Sequence, residues 1–167
     1  MEKTMKHIGI LSDTHSVWDE RFVKYFKDCD EVWHAGDIGD MEIIDRLRLL
    51  VPVVRAVYGN IDGQEARWRF DEICRFDCEN VKVWMKHIVG YPGRYAPGIK
   101  AMLQEEKPGM VVAGHSHILK IMCDKDLQML HVNPGAAGRS GWQSARTIVR
   151  LVIDGDNIKN CEVIELN

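Results

Sequence analysis

Ile8-Gly9-Ile10-Leu11-Ser12-Asp13-Thr14-His15, with Arg21-Phe22-Val23-Lys24-Tyr25-Phe26 following after a short polar stretch, decides how this chain is read. The run from His7 to Leu11 has the length and apolar character of a first strand, and it gives way to a polar loop, Ser12 to Ser16. Phe22, Val23 and Phe26 then recur at helical spacing. The unit of strand, loop and helix repeats. Glu31 to Ala35 reads as a strand, Gly36 to Gly39 as a glycine-bounded loop, and Asp40 as the N-cap of a helix that turns Ile43, Ile44, Leu47 and Leu50 inward. Pro52 to Tyr58 supplies a third strand, ended by Gly59.

Beyond Gln64 the pattern changes. Arg69 to Cys78 and Val81 to His87 are consecutive strand-like runs split by Glu79 and Asn80, as in an antiparallel pair that starts a second sheet. A Gly- and Pro-rich loop, Ile88 to Gly98, leads to a helix ending near Lys107 and Pro108 and then to a buried strand, Met110 to Ala113. Ile118 to Cys123, Leu127 to Val132, Ala145 to Ile153 and Ile158 to Glu165 complete the strands, with a hairpin turn at Asp154-Gly155. We see no linker, repeat or low-complexity segment. The expectation is one α/β domain over 1–167, two facing β-sheets flanked by helices.

The bulk composition sets limits on function. At 167 residues with 46% hydrophobic and 28% charged residues, the chain has the balance of a globular protein with a sizeable core. A formal net charge of -3 offers no basic footprint, which disfavours general nucleic-acid binding. After Met1-Glu2-Lys3-Thr4-Met5-Lys6 the first apolar run is too short for a signal-peptide core or a membrane span, so a cytoplasmic location and no membrane partner are expected. Cys29, Cys74, Cys78, Cys123 and Cys161 form no C-x-x-C pair and read as reduced, mostly core thiols.

The chemistry gathers at the strand ends, where α/β folds place their ligand-binding loops. After Leu11 come Asp13 and His15; after Trp33 come Gly36 and Asp37; after Tyr58 come Gly59, Asn60 and Asp62. The run through Met85 ends at His87, and Ala113 is followed by Gly114, His115 and His117. Each motif alone reads better as a loop cap than as a metal ligand. Together they supply mixed nitrogen and oxygen ligation suited to Mn, Fe, Ni or Zn and unlike the oxygen cage of Ca. Seven ligand candidates exceed what one catalytic ion takes, so two divalent ions sharing a carboxylate are expected.

From Ile8 to about Gly135 this order resembles the calcineurin-like metallophosphoesterase superfamily, in its small single-domain phosphodiesterase branch, to which the retromer metallophosphoesterase-like subunit is related. The motifs D-x-H, GD, GN, a lone His and G-H-x-H stand here as Asp13-Thr14-His15, Gly36-Asp37, Gly59-Asn60, His87 and Gly114-His115-Ser116-His117. Asn133-Pro134-Gly135 also looks like a loop of that branch. The resemblance implies a four-layer α-β-β-α sandwich. It implies one metal held by Asp13, His15, Asp37 and His117 and another by Asp37, Asn60, His87 and His115, with Mn expected first and Ni, Zn, Fe or Mg as alternatives. Asp37, Asn60 and His115 would then be catalytic, and the nucleophile a hydroxide held between the ions that attacks a small phosphate ester, a diester before a monoester. The other function such a resemblance allows is a non-catalytic interaction scaffold; a homo-oligomer is compatible with either.

Departures from the pattern fall in three places. Many superfamily members carry a general-acid histidine directly after the Asn; here that position is Ile61, which cannot donate a proton. Asp62 reads either as a carboxylate orienting a ligand histidine or as a turn cap. The segment after His87 looks like a lid in which Arg94 could pair with a phosphate oxygen and Tyr91 or Tyr95 could stack on a base or aryl group, and Arg139 could also reach substrate. His34 is a candidate support for the ligands, whereas His7 and His131 read as structural and the tryptophans as core or rim packing.

Overall fold

The structure, a computed structural model, describes residues 5–167; Met1 to Thr4, which belong to the expected domain and its N-terminal lead, lie outside the described residues. The first half runs β1 (Met5–Leu11), α1 (Arg21–Phe26), β2 (Glu31–His34), α2 (Glu42–Leu50), β3 (Val53–Ala56), α3 (Gln64–Arg69), β4 (Ile73–Cys78) and β5 (Val81–Lys86). The second runs β6 (Gly90–Tyr91), β7 (Arg94–Tyr95), α4 (Ile99–Glu106), β8 (Met110–Val112), β9 (Leu119–Asp124), β10 (Met129–Pro134), β11 (Thr147–Asp154) and β12 (Asn157–Glu165).

Alternation along β1 explains the layering. Ile8 and Ile10 enter one apolar cluster and Leu11 another, since successive side chains of a strand face opposite sides. A strand buried on both faces reads as an unbroken apolar run, as this one does. Its sheet has the order β12-β11-β1-β2-β3, with β1, β2 and β3 parallel and β11 and β12 antiparallel additions. The second sheet has the order β4-β5-β8-β10-β9, parallel through β5, β8 and β10 and closed by antiparallel β4 and β9.

Three clusters fill the spaces between layers. Ile8, Ile10, Trp33, Val149 and Leu151 of the first sheet meet Val83, Met85, Met110, Val112 and Val132 of the second, forming the inter-sheet core. On the outer face of the first sheet Leu11, Val32 and Ile148 receive Phe22 and Phe26 of α1 and Ile43, Ile44 and Leu47 of α2. On the outer face of the second, Trp84 and Val111 receive Ile99 and Leu103 of α4. The result is the four-layer α-β-β-α sandwich. No helix among the described residues is long and apolar enough to cross a membrane.

The structure corrects several local expectations. Arg69 to Cys78 is not one strand: Gln64–Arg69 is helical, with Glu65 in its first turn and Arg67 and Arg69 in its last, charges that complement the helix dipole, and the strand begins only at Ile73. The Ile88 to Gly98 loop contains the β6–β7 hairpin. Asp40 lies one residue outside the α2 N-cap, Met41, yet its carboxylate accepts the Glu42 N–H at 2.9 Å. Leu50 is only half-buried. Of the thiols, Cys29 and Cys78 are buried while Cys123 and Cys161 are exposed. Trp142, expected to pack, is fully exposed.

Gly9 carries a testable consequence of the tight α1 packing. A Cβ there would overlap the Phe26 ring, with Phe26 Cε1 only 2.6 Å away. Gly9→Ala is expected to lower unfolding free energy by about 1–3 kcal/mol in urea denaturation, through overpacking of the α1 layer.

Candidate metal centre

Five strand ends meet over the seam between the sheets. Asp13 and His15 follow β1, Asp37 follows β2 and Asn60 follows β3; His87 follows β5, and His115 and His117 follow β8. The first sheet thus supplies Asp13, His15, Asp37 and Asn60, the second the other three imidazoles. The loops are sewn together through backbone hydrogen bonds. Asp13 N–H donates to Gly36 O at 3.0 Å, His15 N–H to Asp37 O at 3.1 Å, Ser16 N–H to Ile38 O at 2.9 Å and Gly114 N–H to His87 O at 3.0 Å. Asp13, His15, Asp37, His115 and His117 all hold positive φ, between 45° and 74°, in the left-handed region. Such strain persists only where surroundings enforce it, and Asp and His tolerate it better than branched residues.

Two clusters of donor atoms result. Asp13, His15 and His117 bring ligand atoms within 4.8 Å of one another, and so do Asp37, His87 and His115. The imidazoles stack edge-on in matching pairs, His15 with His117 at 5.4 Å between centroids and His87 with His115 at 5.3 Å. Asp37 Oδ2 lies 3.5 Å from His15 Nε2 and 3.2 Å from His87 Nε2, so it faces both clusters. Asn60 Oδ1 is 3.0 Å from both His87 Nε2 and His115 Nδ1. All seven side chains expected from the sequence are therefore brought together.

The Nε2 edges of His87 and His117 point into the centre. His87 Nδ1 lies 2.8 Å from the Ala35 carbonyl, which can only accept, so Nδ1 carries a proton and Nε2 is the ring atom that faces Asp37 and Asn60. His117 Nδ1 is likewise 3.0 Å from Gln143 Oε1, turning its Nε2 toward Asp13 Oδ1 at 3.1 Å. Gln143 donates its own amide hydrogens to Gly138 O and Ser140 O, which fixes its oxygen as the acceptor. Asp13 Oδ2 accepts from Ser12 Oγ and from the His115 N–H, but Oδ1 and His15 Nε2 are buried with no hydrogen-bond partner. A buried carboxylate oxygen surrounded by imidazole nitrogens fits a cation, and this donor set fits a borderline transition metal.

The same crowding shifts the titrations. The bond to Asp13 raises His117 to about 9. Burial works against charge on His87 and on Asp37, yet their mutual contact prevails, holding His87 above and Asp37 below their ordinary ranges. Asp13 follows the same logic: burial opposes ionisation, but the His117 contact and the Ser12 hydroxyl lower its pKa. Positive charge, whether protons or metal, is what this pocket retains.

Supporting residues fall out of the geometry. Asp62 does not orient a ligand histidine. Its carboxylate accepts backbone N–H groups from Ile38 at 3.1 Å, Gly39 at 2.9 Å and Gly59 at 2.8 Å, clamping the Asp37 and Asn60 loops to each other. His34 acts as a similar stitch: its Nδ1 accepts the Gly36 N–H and its Nε2–H reaches Thr14 Oγ1, whose hydroxyl donates to Ile38 O. Asn133 donates to Gly114 O and Ser116 Oγ, bracing the His115–His117 loop. Gln143 was not foreseen, since a lone Gln in a Gly- and Ser-rich loop carries no signal of its own.

The expected lid residues divide. Tyr95 packs in the cluster under α4 and donates its hydroxyl to Asp124 at 2.5 Å, so it is not free to stack on a ligand. Tyr91 carries the Lys120 ammonium 3.8 Å from its ring centroid, and Arg94 is exposed on the hairpin. Arg139 is exposed next to Gly138, whose N–H donates to Asp13 O at 3.0 Å.

Comparison with known proteins gives the same picture from outside. The family model described as calcineurin-like phosphoesterase superfamily domain matches residues 5–156. The chain is 29% identical over 166 residues to a Methanothermobacter thermautotrophicus protein named "Probable metallophosphoesterase", spanning 94% of this chain and 91% of the relative. It is 24% identical over 143 residues to a phosphodiesterase of Methanocaldococcus jannaschii, spanning 77% of this chain and 82% of that one. Among solved structures, wild-type Vps29 from Entamoeba histolytica complexed with zinc aligns with a TM-score of 0.74 at 18% identity, covering 96% of this chain and 99% of that chain; at this identity the likeness is one of fold.

His34 makes the scaffold of the centre sensitive to acid. Complete burial pushes its pKa down from 6.5 to about 4. Between those values the unfolded chain binds the proton and the folded chain does not, so this stability is present above the ordinary value and lost as pH falls toward the folded one. Denaturation of the metal-free protein is expected to show a loss of up to about 3 kcal/mol across that window, and His34→Gln is expected to flatten the slope. An unaltered slope in the variant would assign the acid sensitivity to other groups.

Proposed function

Because the chain belongs to the calcineurin-like phosphoesterase superfamily, we propose that it hydrolyses phosphate esters, phosphodiesters in particular, at a centre of two divalent cations. Asp13, His15, Asp37 and His117 would hold one, and Asp37, Asn60, His87 and His115 the other, with Mn the first candidate. The observation that carries the reading is the buried Asp13 Oδ1, which accepts no well-formed hydrogen bond and is ringed by the Nε2 atoms of His117 at 3.1 Å, His15 at 3.8 Å and His87 at 3.9 Å. The M. jannaschii relative's name supports the diester preference.

Bound divalent cations supply two things to such a reaction: an acidified water and compensation for charge developing on phosphoryl oxygens. The protein's own residues supply the rest. Asp37 would be the carboxylate shared by the two ions, its Oδ1 steadied by the Ile61 N–H at 3.0 Å. His87 and His117 are held in one orientation by Ala35 O and Gln143, so their Nε2 atoms need no reorganisation. His115, exposed where the other three imidazoles are not, would border the side from which a substrate enters, and the exposed Arg139 would pair with a non-bridging phosphate oxygen. Ile61, half-exposed beside Asn60, offers no proton to the leaving group.

Metal depletion followed by addition of Mn, Ni, Zn or Mg is expected to restore hydrolysis of aryl phosphodiesters, with two ions bound per chain by elemental analysis. Asp37→Ala and His87→Ala should each lower kcat/KM by about a hundredfold or more. Rates equal to wild type in both variants would remove the catalytic reading.

Without a proton donor at Ile61, rate should depend steeply on leaving-group pKa, aryl diesters outpacing dialkyl diesters by more than the hundredfold or so that general acid catalysis would otherwise recover. A flat dependence across a leaving-group series would mean that another group protonates the departing oxygen.

A further inference from the structure

Among the described residues Trp142 is the most exposed large apolar side chain, at 103% of its reference area. An indole in open water leaves its favourable burial unrealised, so its position needs an account. The ring stands at the edge of a groove of about 510 Å³ lined by Ser116, His117, Ile118, Leu119, Gln143 and Thr147, among others. Ile118 and Leu119 are themselves exposed, at 61% and 38%, so three of the nine exposed large apolar side chains share this one depression. Its inner wall is His117, a candidate ligand of the metal centre.

The loop that carries Trp142 is fixed against that wall. Gly138 N–H donates to Asp13 O, Gln143 Oε1 meets His117 Nδ1 at 3.0 Å, and Gln143 Nε2 donates back to Ser140 O at 2.9 Å. Gly141, at φ +110°, lies so close that a Cβ would overlap His117 Nδ1. Both chain neighbours of Trp142 therefore touch His117, and the indole cannot move far from the centre without breaking the Gln143 bond. A groove of this volume is the size of a small-molecule site. Its lining includes Glu165 and, among the described residues, no Lys or Arg, so it suits an uncharged planar group and not a further phosphate.

We infer that Trp142, with Ile118 and Leu119, forms a subsite that receives the planar aromatic portion of the ester, an aryl ring or a nucleobase, while the phosphate sits at the metal centre. The inference rests on the phosphoesterase reading and adds the substrate class to it. Stacking on Trp142 makes specificity one of shape and polarisability, tolerant of which aromatic ring is presented.

Three diesters that all release para-nitrophenolate separate the retained group from the leaving group: methyl para-nitrophenyl phosphate, bis-para-nitrophenyl phosphate and the para-nitrophenyl ester of thymidine monophosphate. The ratio of kcat/KM for each aromatic diester to that for the methyl diester is expected to fall about tenfold in Trp142→Ala and to be recovered in Trp142→Phe. Which of the two aromatic diesters loses more distinguishes an aryl from a nucleobase site. A ratio unchanged by Trp142→Ala overturns the subsite while leaving the catalytic reading intact. A second readout needs no turnover: the indole N–H resonance of Trp142, identified by its loss in Trp142→Phe, should shift on titration of the metal-loaded protein with phenyl phosphate or thymidine monophosphate and not with methyl phosphate. If no ester is hydrolysed but this resonance responds, the subsite stands and the catalytic reading fails; equal responses to all three phosphates overturn the subsite.

Discussion

Everything at the centre depends on how the two sheets pack. Ligand candidates from the first sheet and from the second meet only across the seam, so the distance between Asp13 or Asp37 and the three late imidazoles is set by the thickness of the inter-sheet core. Facing sheets stand about 10 Å apart, and interiors packed to crystal density transmit small volume changes instead of absorbing them. Ile8, Ile10 and Trp33 against Val83, Met85 and Val112 therefore do more than stabilise. They hold His87 Nε2 3.2 Å from Asp37 Oδ2 across the join. The T-shaped contact of Trp33 with Phe76, at 4.9 Å between centroids, braces the same seam between β2 and β4.

Within that frame, the loops act as an extension of the ladders. Backbone donors of Asp13, His15 and Ser16 continue the parallel pairing of β1 with β2 past the strand ends, and Ala137 and Gly138 close the other side by donating to Ser12 and Asp13. This continuation makes the left-handed backbone at five ligand positions tolerable. Each such residue costs of order 1–3 kcal/mol, a large share of the 5–15 kcal/mol that a domain retains overall. Asp62 offsets part of that cost by accepting three backbone donors at once. Any cation that binds the folded chain and not the unfolded one would stabilise the fold in proportion to its affinity, so the strain and the site are thermodynamically linked.

The layered fold and the seven converging side chains were legible in the sequence because both are written in regular patterns. Alternating or unbroken apolar runs mark strands, and each run ends in a residue type that either caps a loop or grips a metal. The pattern failed where regularity did. Gln64 to Arg69 forms a helix of barely more than a turn whose apolar content is slight, and the alternation that begins near Arg69 masked its end. Hairpin strands of two residues each, Gly90–Tyr91 and Arg94–Tyr95, are too short to carry a period. Asp62 could have faced inward or along the loops, and only the tertiary position of Ile38 and Gly39 decides it. Gln143 and Trp142 sit in a stretch with no strand or helix signal, and their roles come from where the Gly138 anchor holds that stretch.

Charge completes the account of why these residues tolerate one another. Two buried carboxylates side by side would ordinarily repel and take up protons, but here two imidazoles compensate them, His117 and His87 held above their ordinary pKa and Asp13 and Asp37 below theirs. Protons and metal ions compete for the same lone pairs, so a metal entering the pocket near neutral pH must displace the proton from His117. The Ala35 and Gln143 contacts bias that exchange, because they occupy Nδ1 of His87 and His117 and leave Nε2 as the only atom from which a proton can depart. These hydrogen bonds thus fix which edge of the His87 and His117 rings faces the candidate centre.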